Sequence, residues 1–180
     1  TANIAFGANA LASNTTGSNN SAFGSTSMFL NSTGSHNVAI GESTLGSNTT
    51  ASQLVAIGSY SLFSNTSGTN CIAIGINALH DNATGNNNIG IGPDALTANS
   101  ASDDNIAIGN SSLRDNTGAS NVAIGSRSQI ITTSGQSNTS IGTFSLNNNL
   151  TGSNNIALGT NAGNAITANN NIAIGNAGVA

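Results

Sequence analysis

An all-β solenoid is the fold class that this sequence predicts, and three observations predict it. The motif Asn-Ile-Ala-Ile-Gly returns along the whole chain, with its glycine at Gly7, Gly24, Gly41, Gly58, Gly75, Gly92, Gly109, Gly125, Gly142, Gly159 and Gly175. The steps are 17 residues, apart from two of 16, Gly109 to Gly125 and Gly159 to Gly175. No other kind of sequence lies between the copies. Eleven short units in tandem stack into a quasi-one-dimensional rod rather than a globule. Such a chain can be aligned against itself: fixed columns carry the architecture, and variable columns are free to carry the biology.

Positions are counted from the motif glycine. Position −1 is large and apolar in every copy, for example Phe23, Ile57, Ile74, Ile91 and Leu158. Position −3 is mostly Ile or Val, with Ser21 and Thr139 as exceptions. Position −2 is always small, as at Ala22, Ala73, Gly90 and Ser140. Large-small-large with β-branched residues is a period of two, which predicts a strand with −3 and −1 turned inward.

A second apolar column stands at +4: Leu11, Met28, Leu45, Leu62, Leu79, Leu96, Leu113, Leu146 and Val179, interrupted by Gln129 and Gly163. Position +3 is small from Ala10 through Gly178. The expectation is two short strands per rung closing on a thin core, with the small −2 and +3 columns facing out. Small residues repeated on every rung let another backbone approach, so other chains are expected alongside.

Turn signals such as Asn14-Thr15-Thr16-Gly17 and Asn82-Ala83-Thr84-Gly85 separate the copies. Asn recurs at −4, except at Leu54 and Cys71, and at +7 from Asn14 to Asn116. Stacked in register, these side chains are expected to form amide ladders. Cys71 then reads as a packed turn residue rather than a reactive thiol. Eleven rungs at about 4.8 Å each make a rod of roughly 50 Å.

Composition removes several function classes. Only Arg114 and Arg127 are cationic, and the net charge is −4, so there is no footprint for nucleic acid or anionic lipid. One cysteine excludes an internal disulfide framework. No apolar run approaches membrane-spanning length, so no membrane insertion is expected. The polarity, with 32 Asn and 46 Ser plus Thr, is that of turns and ladders rather than disorder, because Ile and Val return on schedule.

The units Asn37-Val38-Ala39-Ile40-Gly41 and Asn105-Ile106-Ala107-Ile108-Gly109 resemble the repeats of trimeric autotransporter adhesin heads, the YadA-like or Hep/Hag family. With the Thr151-to-Asn155 linker they are also similar to stretches of phage tail fibres. The resemblance covers essentially the whole chain, although the adhesin-head unit is commonly shorter than 17 residues. It implies a left-handed parallel β-roll, assembled as a homotrimer and working as an extracellular adhesive or structural fibre on a cell or virion. Residues 1–180 read as one uncapped repeat domain, a segment of a longer fibre, since Thr1 falls in mid-repeat. Self-association is the expected partnership, lateral first with end-to-end stacking as an addition, and a host surface protein or glycan is the outside partner.

No catalytic constellation stands out, and no enzyme activity, cofactor or metal is expected. His80 beside Asp81 reads as a surface polar pair, since triad chemistry is recognised by geometry rather than adjacency. Asp103-Asp104 lacks the glycine- and aspartate-rich repeat of a calcium site. The nine Asn-X-Ser/Thr sequons (Asn14, Asn19, Asn31, Asn48, Asn65, Asn82, Asn110, Asn138, Asn149) read as turn and ladder residues. Candidate contact residues come from bulky exceptions in the variable columns: Phe29, Tyr60, Phe63, His80 and Phe144, with Leu30, Ile130 and Ile131 beside them. They suit either receptor binding or packing against a neighbouring chain. Two other solenoid classes fit less well. An ice-binding face needs a regular Thr array, and a hexapeptide acyltransferase repeats its aliphatic position every six residues rather than once per 17.

Overall fold

The computed structural model describes residues 2–175 and is a parallel β-solenoid. Each copy contributes one three-residue strand, −3 to −1: β1 (Ile4–Phe6), β2 (Ser21–Phe23), β3 (Val38–Ile40), β4 (Val55–Ile57), β5 (Ile72–Ile74), β6 (Ile89–Ile91), β7 (Ile106–Ile108), β8 (Val122–Ile124), β9 (Thr139–Ile141), β10 (Ile156–Leu158) and β11 (Ile172–Ile174). They form one 11-stranded sheet in sequence order. Like pairs with like throughout, as in Ile72 opposite Ile89, Ala73 opposite Gly90 and Ile74 opposite Ile91. The described residues contain no helix.

The orientation of the sheet corrects the sequence expectation. Ala22, Ala39, Ala56, Ala73, Ala107, Ala123 and Ala157 are completely buried, so the small −2 column faces the interior. The large −3 and −1 residues lie on the outer face, with Ile74 37% exposed and Ile57 and Ile91 half-buried. The reason is the thinness of the roll. The opposing wall carries the +4 leucines, and a methyl group built on Gly90 would lie only 3.2 Å from Leu79 Cγ. Only a residue the size of alanine or serine fits comfortably between the walls; an isoleucine would drive them apart.

Among the described residues the second expected strand is absent as well. Residues +1 to +6 form a kinked segment in which +2 and +4 adopt left-handed backbone, as at Tyr60 (φ 59°), Leu62 (φ 48°), Asn77 (φ 55°) and Leu79 (φ 52°). Two kinks let the neighbours +3 and +4 both point inward, which a straight strand forbids. Ala78, Leu79, Ala95 and Leu96 are all fully buried. A left-handed leucine is costly, by about 1–2 kcal/mol. Regular bonds between rungs hold it there: Leu62 N–H donates to Ala78 O at 3.0 Å, and Leu79 N–H to Ala95 O at 2.9 Å. Val179 and Gly178, assigned to these columns from sequence, lie outside the described residues.

Asparagines bond the rungs in two different ways. At +7 the amides form a true ladder, with Asn31 Nδ2 donating to Asn14 Oδ1 (2.9 Å), Asn48 to Asn31 (2.7 Å), Asn82 to Asn65 (3.1 Å) and Asn99 to Asn82 (2.9 Å). At −4 the bonds run chiefly to the backbone. Asn20 Oδ1 accepts from Asn37 N–H at 3.0 Å, while Asn37 Nδ2 donates to Ala51 O at 2.9 Å. Asn20, Asn31, Asn37, Asn48, Asn82 and Asn99 are buried and used, which is the condition for a polar group to sit inside so thin a body.

The apolar core runs from Ala22 and Met28 to Leu113 and Ala123, and resumes with Leu146, Ala157 and Ala162. Between the two stretches the +4 position is Gln129, wholly buried. Its Oε1 accepts from Ser140 Oγ at 2.9 Å, and Ser140 Oγ lies 2.6 Å from Ser128 Oγ. Gln129 Nε2 has no partner. A buried orphan donor costs about 1–3 kcal/mol. Replacing Gln129 by Leu together with Ser140 by Ala is therefore expected to stabilise the chain by about 2 kcal/mol, measured as a rise in the urea midpoint. A lower midpoint would show that the polar cluster is a net stabiliser.

Candidate functional site

Two surfaces depart from plain rod. The first is the outer face of the sheet. Its −3 and −1 columns carry Ile, Val, Phe and Leu from β1 to β11, relieved only by Ser21 and Thr139, and include no charged residue. Strand spacing makes this strip about 48 Å long and two side chains wide, on the order of 500 Å2 in plan. Aliphatic side chains alternate outward here because the interior takes only the small member of each triplet. An uncharged strip of that size on a soluble protein is usually an interaction surface.

The second surface lies on the kinked segment, across the roll from the strip. Tyr60 and Phe63 belong to one rung and meet edge to face, ring centres 5.8 Å apart at 63°. His80, one rung on, stacks on Phe63 at 5.4 Å and 22°. Phe29, Phe63 and His80 all occupy +5, and Gly46 occupies that position between Phe29 and Phe63. Phe63 leans over this gap, since a methyl group on Gly46 would lie 2.9 Å from its Cε2. The result is a cleft of about 170 Å3 lined by Thr26, Phe29, Leu30, Ser43, Gly46, Ser47 and Phe63. Four of the five candidate residues thus come together: Phe29, Tyr60, Phe63 and His80. Phe144 stands apart, beneath the guanidinium of Arg127 at 5.7 Å. Neither Ile130 nor Ile131 joins the patch; both are half-buried in the rung of Gln129.

The remaining polar candidates are occupied by structure. His80 Nδ1 lies 2.6 Å from Asp81 Oδ1, and Arg114 pairs with Asp115 through two bonds of 3.0 and 2.7 Å. Asp103 Oδ1 accepts from Asn86 N–H at 2.6 Å, and Asp104 Oδ1 from Asn87 Nδ2 at 3.0 Å, so both acids continue inter-rung bonding. Among the described residues no three His, Cys, Asp or Glu side chains gather in a metal-binding group. Six sequon asparagines, Asn31, Asn48, Asn65, Asn82, Asn138 and Asn149, are wholly buried and cannot carry a glycan in the folded rod.

Cys71 is a packed residue. It is buried, its Sγ faces Gly85 O at 3.3 Å, and burial pushes its thiol up to about 11. The thiolate is the reactive form. Folded protein at pH 8 is expected to react with a thiol reagent at least about tenfold more slowly than the same chain in denaturant. Equal rates would place Cys71 at the surface.

No protein-family model matches the chain, and no curated protein or solved structure matches it either. The cleft was only half visible in the sequence. The aromatic exceptions mark it, but Gly46 in the +5 column is the signal that a gap lies between them.

Proposed function

We propose that this chain is a non-enzymatic segment of an extracellular fibre, a stalk or head built by lateral self-assembly and used in adhesion to a surface or receptor. One observation carries the assembly half of this reading: the uncharged apolar strip on the outer face of the sheet. Burying it removes aliphatic surface from water at about 25 cal/mol per Å2, and only a partner of the same length and regularity matches it throughout. A second copy is that partner. Two strips alone bury about 500 Å2 per chain, short of the ~800 Å2 per partner of a stable pair. Three chains around one axis let each also bury its flanking columns against two neighbours, which favours a homotrimer. Left-handed winding and a cell-surface or virion setting accord with the resemblance to adhesin heads and tail fibres.

Sedimentation equilibrium on the purified chain tests the assembly. A mass three times 17.6 kDa is expected across a wide concentration range. A monodisperse species of one chain would sink the proposal. Adhesion draws on the second surface, where three of the chain's six Phe and Tyr side chains gather with His80. A phage-fibre role makes the same physical demands and differs only in what flanks the segment.

A further inference from the structure

We infer that the cleft above Gly46 is a binding site for one ring of a neutral saccharide. The inference deepens the adhesion half of the reading above and is independent of lateral assembly, because the cleft and the apolar strip lie on different faces of the roll.

The sequence departures at the cleft are coupled. In the +5 column Ala12 is followed by Phe29, Gly46, Phe63 and His80, then by Thr97 and Arg114. Two aromatic residues flank the column's first glycine, and the second is itself backed by a stacked imidazole. Tyr60, on the same rung, braces Phe63 from the side at 5.8 Å. Phe63 is therefore held rather than free, with its ring edge over Gly46, and the cleft opens between that ring and Phe29. Loss of a side chain at Gly46 alone would leave a shallow dent. With Phe29 and Leu30 on one side and Phe63 on the other, it leaves a slot.

The chemistry of the lining selects the ligand. Aromatic and aliphatic walls offer a flat apolar surface, which suits the C–H face of a pyranose. Thr26, Ser43 and Ser47 also line the cleft, and their hydroxyls offer polar partners for the ring hydroxyls of a sugar. Thr26 Oγ1 donates to Ser25 O at 2.8 Å and lies 3.0 Å from Ser43 Oγ, which leaves lone pairs on both oxygens to accept from a ligand. None of the lining residues is charged; Glu42 adjoins Ser43 in sequence, and His80 behind Phe63 is paired with Asp81, on a chain of net charge −4. That balance repels sulfated, phosphorylated or uronic ligands and leaves neutral ones. A volume of about 170 Å3 is well below the ~300–1,000 Å3 of sites for drug-sized molecules, so a single ring enters and the rest of a chain lies outside.

Saturation-transfer NMR on the whole chain is the test. The probes are neutral oligosaccharides of glucose, galactose, mannose and N-acetylglucosamine, each at millimolar concentration, with heparin fragments as the acidic comparison. At least one neutral probe is expected to receive transfer on its ring protons. Phe63→Ala and Phe29→Ala are each expected to weaken it about tenfold, while Phe144→Ala leaves it unchanged. Circular dichroism identifies any variant that fails to fold, and Ser47→Phe, which adds bulk to the cleft lining, then supplies the loss of binding independently. Transfer to no neutral probe overturns the proposal, as does binding that survives both Phe63→Ala and Phe29→Ala. Cleft resonances that move with protein concentration and not with sugar assign the slot to a second copy's side chain, and overturn it too. Sedimentation on the same samples reports assembly separately, so failure of one reading is distinguishable from failure of the other.

Discussion

Gly75→Ala is expected to collapse the middle of the rod. Gly75 has φ +136°, a region closed to residues with a side chain, and an added methyl would lie 2.6 Å from Gly92 C. The contact is with backbone of the next rung, which cannot step aside without breaking the sheet. Strain and clash together cost roughly 3 kcal/mol or more. Solenoid stability is a sum of neighbour terms, so β4 and β6 loosen with β5. The expected result is a lower thermal midpoint with an early, partial loss of β signal. Ser120→Gly is the matching control: exposed, with φ +59°, it should be neutral or slightly stabilising. An unchanged melt for Gly75→Ala would mean that the glycine column is not structural.

Ile74→Asp is expected to leave the single chain folded and to abolish assembly. Ile74 sits on the outer strip between Ile57 and Ile91, 37% exposed in the isolated chain. A carboxylate there stays in water while the chain is alone, and the cost is about 1 kcal/mol or less. Against an apolar partner the same charge is buried unpaired, which costs about 3–5 kcal/mol per copy. The far-ultraviolet spectrum should be unchanged while the sedimenting mass drops to that of one chain. A variant that unfolds instead would return Ile74 to the core, where period-two reasoning places it.

That contrast marks how far the sequence can be read. The 17-residue period, the parallel stacking and the strand at −3 to −1 all follow from columns such as Asn37-Val38-Ala39-Ile40-Gly41. Which face points inward did not follow. Ile outside and Ala inside is the reverse of the usual rule, and it arises because Leu79 and its counterparts fill the space from the opposite wall. The clue was present in parity: the recurrent Asn at −4 lies on the same face as Ala at −2, and both turn out to be buried. Position +4 was placed correctly, yet its strand was not, because no local pattern announces a left-handed backbone at Leu or Tyr. The aromatic patch was legible as a set of exceptions. That Phe29 and Phe63 face each other across Gly46, while Phe144 stands alone, required coordinates.

The Gln129–Ser140 contact has one more consequence. Interchangeable rungs make the threading of this chain degenerate: a strand that skips one copy finds the same glycine, alanine and asparagine waiting, and loses only the closure of a loop. Such misthreaded frames would compete with the native one at every rung. Gln129 breaks the tie, because it meets a serine hydroxyl only when rung eight lies against rung nine. Skipped by one copy, it would face Ala157, and its amide would be left with no partner at either end. The irregular rung thus works as a fiducial mark, fixing the count of the whole rod from a single point inside it.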